Sequence, residues 1–172
     1  PNNLPAPEPI TLSVESVYPH DLQAFTQGLE FHNGKLYEGT GEPKESRLRI
    51  VDIKTGRPDK EYLIHDPTIF GEGITIFNNK IYELTWQNHK IFEYSVNDIT
   101  HPINTYNWSI EGWGITHNNS DLIISDGSSK LYFVQPDEAK KEMKTIKVIT
   151  VAENKGELDS LNELEYINGY VY

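Results

Sequence analysis

Four side chains of unlike chemistry hold one recurring place in this sequence: Gln27, Glu72, Trp113 and Asn162. Aromatic residues accompany them. Phe25 and Phe70 each stand two residues before their member of the set, Trp86-Gln87 closes a nearby segment, Glu111 shortly precedes Trp113, and Glu163 follows Asn162. A purely structural repeat has no reason to vary one position among two amides, a carboxylate and an indole. Such variation marks a place where a ligand is read from several sides. A carboxylate and amides inside an aromatic cage suit a small polar group at the end of a peptide. Each residue also has a plainer reading. Glu72, between Gly71 and Gly73, reads equally as an exposed turn carboxylate. Trp86 and Trp113 read as packing between elements, Gln27 and Asn162 as partners for backbone groups, and Glu163 as a solvated charge.

The recurrence comes from comparing the chain with itself. The segment Gln27–Glu38 returns as Glu72–Glu83, then more loosely as Trp113–Ile124, and a fourth copy runs from Asn162 to Tyr172, at steps of 45, 41 and 49 residues. Each copy reads as a hairpin: a short apolar strand, a turn at Asn33-Gly34, Asn78-Asn79, Asn118-Asn119-Ser120 or Asn168-Gly169, and a second strand. Asn and Gly supply the positive φ that tight hairpins demand. Further strands are predicted at Leu48–Val51, Ile91–Tyr94 and Leu131–Val134, and outer ones near 61–64, 103–108 and 145–151. Four short strands in every 40 to 50 residues, roughly, is the signature of β-propeller blades. The expected fold is therefore all-β, with three blades and the start of a fourth. Inner strands line the channel of a propeller, so the four recurring side chains should meet at its mouth. The charged stretch Asp137–Lys147 is expected to be a solvated loop leading into a strand, with one helical turn after Pro136 as the alternative.

Composition narrows the classes. A formal charge of −11 over 172 residues argues against nucleic acid, which needs a basic face. There is no cysteine, so thiolate chemistry and disulfides are excluded. The six histidines show no metal-ligand spacing, so no metal or other cofactor is expected. Neither a GxSxG elbow nor a P-loop is present. No apolar run reaches the roughly 18 residues of a membrane span. Residues 1–17, opening on Pro1 with Pro5, Pro7 and Pro9, are assigned to a Pro-rich N-terminal segment and first strand, and 18–172 to blades. The opening reads either as a trimmed end or as the mature end left by a removed signal peptide; the second places the protein outside the cytoplasm, periplasmic or secreted. Three blades and one hairpin do not close a ring, which argues for a fragment of a longer polypeptide, monomeric when full length.

Six ordered motifs carry a resemblance. Tyr18-Pro19-His20-Asp21 with Ala24–Leu29, Phe70–Thr75, Tyr82–Gln87, Glu111–Thr116, Ser125–Ser129 and Leu161–Tyr166 resemble those of the plant and bacterial glutaminyl cyclases. The resemblance covers the chain from Tyr18 to its last residue. It implies a five-bladed propeller that converts N-terminal glutamine of a peptide or protein substrate to pyroglutamate with release of ammonia. It further implies a pocket of Phe25, Gln27, Phe70, Glu72, Trp86, Trp113 and Asn162, with Gln87 and Glu163 adjoining, and two more family residues, a Trp and a Lys, in blades beyond Tyr172. Glu72, Gln27 and Asn162 are the expected catalytic residues; Phe25, Phe70, Trp86, Gln87, Trp113 and Glu163 are the expected substrate-binding ones. The competing reading is a non-catalytic propeller that binds a peptide or glycan at the same mouth.

Overall fold

The computed structural model describes residues 4–172; Pro1, the first of the N-terminal prolines, lies outside them. Every regular element among the described residues is a strand. Blade I comprises β1 (Thr26–His32), β2 (Lys35–Thr40), β3 (Arg47–Asp52) and β4 (Arg57–Leu63), antiparallel in that order. Blade II repeats the arrangement with β5 (Gly71–Phe77), β6 (Lys80–Thr85), β7 (Lys90–Ser95) and β8 (Asn104–Asn107). Blade III does so with β9 (Ile115–His117), β10 (Leu122–Ser125), β11 (Lys130–Asp137) and β12 (Glu142–Thr150). A small hairpin, β13 (Ala152–Glu153) with β14 (Gly156–Glu157), then leads to β15 (Tyr166–Ile167) and β16 (Tyr170–Val171), the first hairpin of blade IV. One parallel pairing, Asn107 with Glu142, joins the outer edges of blades II and III into a continuous eight-stranded sheet.

The turns explain the hairpins. Asn33-Gly34, Asn78-Asn79 and Asn168-Gly169 all carry positive φ at both central residues, the geometry that matches the twist of the flanking strands. In blade III the side chain of Asn118 does the work instead, its Oδ1 accepting from the backbone N–H groups of Ser120 and Asp121 at 2.7 Å.

Three apolar layers separate the blades. Tyr37, Leu48, Ile50, Ile74, Ile81 and Tyr94 fill the space between blades I and II. Tyr82, Leu84, Ile91, Tyr106, Trp108, Ile115, Leu122 and Ile124 fill that between II and III. Ile123, Leu131, Phe133 and Leu164 join III to IV. Complete burial of such a side chain contributes roughly 1.5–3 kcal/mol.

Two expectations need correction. No strand forms within residues 4–17: Ile10, Leu12 and Val14 alternate as a strand would and Val17 follows, yet all four are exposed and their backbone has no ladder partner among the described residues. The first strand starts at Thr26. Secondly, Asp137–Lys147 is neither helix nor loop but part of a long hairpin. β11 runs through Asp137, Lys140 N donates to Asp137 Oδ1, Lys141 takes φ of 56°, and β12 starts at Glu142 with Met143 buried.

Carboxylates are also buried between blades. Glu83 is wholly inaccessible, and Tyr94 OH donates to its Oε2 at 2.7 Å while Oε1 has no partner. Burial pushes its pKa up to about 7, against the Tyr94 hydrogen bond that pulls it down. The folded state thus holds a proton that the unfolded chain releases, and stability falls as pH rises from about 4.5 to 7. Replacing Glu83 by Gln removes this dependence. The variant should match the parent below about pH 4.5 and exceed it at pH 8 by up to about 3 kcal/mol, read by denaturant unfolding at both pH values.

Candidate active site

Backbone irregularity aims the key side chains. The β1–β2 register slips between Thr26 and Gly28, leaving Gln27 as the extra residue, and the β5–β6 register slips between Gly71 and Ile74, around Glu72. Such bulges turn a side chain off the alternating pattern, here towards the channel mouth. Trp113 directly precedes β9, and Asn162 lies in the loop before β15. These segments are neighbours around the axis. Gly73 N donates to Trp113 O at 2.9 Å, and Ser125 Oγ accepts from Gly114 N at 2.8 Å while donating to Asn162 O at 2.7 Å. A methyl group on Gly41 would strike the Phe70 ring and lie 3.1 Å from Gln27 Cγ, which places that amide beside the ring.

The aromatic wall is continuous. Phe25 meets Phe70 edge-on at 6.0 Å, and Phe70 meets Trp86 at 5.9 Å. Glu111 then ties the wall together: Oε2 accepts from Trp86 Nε1 at 3.0 Å and from Trp113 Nε1 at 3.1 Å, and Oε1 accepts from Gln87 Nε2 at 2.9 Å. Trp113 packs against Gly127, whose φ of 77° and contact with the ring leave no room for a side chain. Glu111 is the residue that the sequence argument left out of the candidate set. Its signal was its closeness to Trp113; what it lacked was a copy in the other blades, since only this blade brings two indoles and an amide to one carboxylate.

Electrostatics divides the acids. Hydrogen bonds from Trp113 and Gln87 hold Glu111 below the usual carboxylate range. Glu72 is 7% exposed, which removes the exposed-turn reading, and its carboxyl makes no side-chain hydrogen bond among the described residues. Burial, and then the Glu111 charge, push it up to about 8. Glu163 stands beside Asn162 at the open side of the mouth with much of its surface accessible. Loss of solvent around its carboxyl, then the charges of Glu165, Glu72 and Glu30, push it up to about 8 against a hydrogen bond from Leu29 N–H. Gln27, Asn162, Glu163 and Glu165 border a hollow of about 310 Å³. The structure thus gathers Phe25, Gln27, Phe70, Glu72, Trp86, Gln87, Trp113, Asn162 and Glu163 around one mouth. Among the described residues no group of three or more His, Cys, Asp or Glu side chains is arranged to hold a metal.

The family model described as glutamine cyclotransferase matches residues 2–172. The chain belongs to that family. This glutamine cyclotransferase family member is 35% identical over 162 residues to the glutaminyl-peptide cyclotransferase of Arabidopsis thaliana, covering 94% of the chain and 49% of that relative. It is 32% identical to the Myxococcus xanthus glutaminyl cyclase crystal structure, with a TM-score of 0.80 over 90% of this chain and 63% of that one. The chain thus spans about half the length of the curated relative it matches. At 9% identity, the computationally designed Ika4 protein matches in fold alone, with a TM-score of 0.56 over 92% of this chain and 91% of its own.

Glu111→Gln leaves one oxygen to serve three N–H donors and removes the charge that raises Glu72. The Glu72 titration should move to lower pH, observable by carboxyl-carbon NMR with selective labelling, and the indole fluorescence of Trp86 and Trp113 should show looser packing.

Proposed function

We propose that the complete protein is a glutaminyl-peptide cyclotransferase, an acyltransferase acting on peptides or proteins that begin with glutamine. The family membership supports this, and the observation that carries it is the buried Glu72, its pKa raised to about 8, beside an aromatic wall. The reaction is internal acyl transfer. The α-amine attacks the carbon of its own side-chain amide, a C–N bond closes the five-membered lactam, and the C–N bond to the departing nitrogen breaks. Because the nucleophile is tethered, the site must chiefly fold the glutamine back and move protons.

Glu72 is suited to both proton movements. An N-terminal amine has an ordinary pKa of about 7.7–8.0, close to the value of about 8 at Glu72, so transfer from ammonium to carboxylate costs little. The amine, now neutral, attacks; the carboxyl proton passes to the departing nitrogen, and the ring nitrogen returns one proton to the carboxylate, which hands it on to the released ammonia. The peptide enters as ammonium and leaves as lactam plus ammonium ion, with the Glu72 carboxylate restored. The amide N–H groups of Gln27 and Asn162 stabilise the oxyanion or hold the substrate backbone. Phe25, Phe70, Trp86 and Trp113 clasp the glutaminyl chain and exclude water, which would otherwise give glutamate. Gln87, fixed on Glu111, lines the approach.

Glu72→Gln in the full-length protein should lower kcat for ammonia release from a Gln-initiated peptide by about 10³-fold or more, with unchanged circular dichroism. Activity within tenfold of the parent removes Glu72 from the mechanism. Binding of that peptide by the unaltered full-length protein without pyroglutamate formation would instead support the non-catalytic reading. In the parent, kcat/KM should fall as pH drops below about 8, because Glu72 takes up the proton it must be free to accept.

A further inference from the structure

The loop between β6 and β7 anchors all four of its side chains. Trp86 Nε1 and Gln87 Nε2 donate to the Glu111 carboxylate. Asn88 Nδ2 donates to Thr68 O at 3.1 Å while its Oδ1 accepts from Phe70 N at 3.4 Å, and His89 Nδ1 lies 3.3 Å from Ile110 O. The loop thus bridges the segment that carries Phe70 to the one that carries Trp113, and Glu111 is where the bridge lands.

The landing is geometrically strict. Trp86 Nε1 and Trp113 Nε1 share one oxygen, Oε2, so the two indole edges cannot part by more than two hydrogen bonds laid end to end. Behind Trp113 the backbone of Gly127 closes the other side, where a Cβ would lie 2.7 Å from ring atom Cε2. Trp86 in turn meets the Phe70 ring at 5.9 Å. There is also a chemical consequence. An indole has a single donor, and Glu111 occupies that of both rings. The wall therefore shows a ligand ring surface and no free indole N–H.

We propose that Glu111 is a positioning residue for cyclisation, which fixes both indoles and, by occupying their N–H groups, denies the glutaminyl amide a wrong partner. This deepens the cyclotransferase reading and rests on it. Glu111 touches no reacting atom; it acts through Trp86 and Trp113. With the indole N–H groups engaged, the side-chain amide oxygen turns to the amides of Gln27 and Asn162, and the chain folds back towards the α-amine. A released indole N–H would hold that oxygen in a bound state from which the amine cannot reach the amide carbon. Binding of that kind lowers kcat without raising KM, because the substrate is held but not aligned. Charge adds a second readout. His89 faces Glu111, and Glu72 lies within the reach of its charge, as it does of Glu163. Neutralising Glu111 therefore also displaces the acid limb of the pH profile that Glu72 sets.

The test follows ammonia release from a Gln-initiated peptide by the full-length protein, with Tm measured for every variant. Glu111→Gln should lower kcat by about tenfold or more with KM unchanged or reduced, and should move the acid limb of kcat/KM to lower pH. Glu111→Asp keeps the charge on a stem too short to hold all three donors. It should lower kcat by about threefold or more and leave the limb within about 0.3 pH unit of the parent. Gly127→Ala drives the Trp113 ring from its seat without touching the charge, and should likewise lower kcat with the limb unmoved. A folded Glu111→Gln protein with kcat within twofold of the parent overturns the assignment. So does a raised KM with kcat unchanged, which would make Glu111 a direct contact of the substrate. Should Glu111→Gln fail to fold, kcat within twofold of the parent in both other variants overturns it equally. No ammonia release from the unaltered protein overturns the cyclotransferase reading instead, and this assignment with it.

Discussion

The architecture depends on how closely one inner strand can lie against the next. At Gly28, Gly73 and Gly114 the following strand's backbone occupies the volume of a methyl group, and that contact sets the spacing of blades around the axis. Everything at the mouth inherits its position from it. Gly73 N reaches Trp113 O because the strands are this close, and Ser125 can hold Gly114 and Asn162 with one hydroxyl for the same reason. A hydrophobic layer alone would leave neighbouring sheets about 10 Å apart with some freedom to slide. Backbone contact at the axis removes that freedom where chemistry needs it least.

The same sheets bury charge at some cost. Glu93, fully inaccessible, is satisfied by Tyr106 OH, Asn104 Nδ2 and Lys80 Nζ. Glu83 receives only Tyr94 OH, and Glu38 accepts from Thr26 Oγ1 at 2.6 Å and lies 2.8 Å from His20 Nε2. His20 belongs to the Tyr18–Asp21 motif, and Asp21 itself pairs with Arg49 at 3.0 Å. The motif is therefore a fastening that holds the segment leading to Phe25 and Gln27 against blade I. Its polar residues serve placement of the site from outside it.

Much of this was legible because a repeat converts sequence position into spatial position. The hairpins, the three blades and the meeting of Gln27, Glu72, Trp113 and Asn162 follow from periodicity and from Asn-Gly turn chemistry. What periodicity cannot carry is anything present in one copy only. Glu111 has no counterpart in the other blades, so its hold on Trp86, Gln87 and Trp113 appears only when those side chains are seen together. The hairpin through Asp137–Lys147 was hidden because β12 lies at an outer edge, where exposed Lys and Glu alternate with few buried residues and imitate a solvated loop. At the other end, residues 10–17 show that an alternating pattern alone makes no strand without a neighbour to complete its hydrogen bonds.

The pairing of Asn107 with Glu142 makes the seams unequal. Blades II and III share a continuous sheet, whereas blade I belongs to a separate one and meets blade II through side chains such as Tyr62 against Tyr94. Blade I is tied to blade II from its inner side instead: Glu30 Oε2 accepts from Thr75 Oγ1 at 2.9 Å and from Ile76 N at 2.7 Å, and Ser46 Oγ accepts from Gly71 N at 2.9 Å. Trp86 and Trp113 thus belong to blades joined at their outer edges, whereas Gln27 and Phe25 belong to a blade held from the axis side.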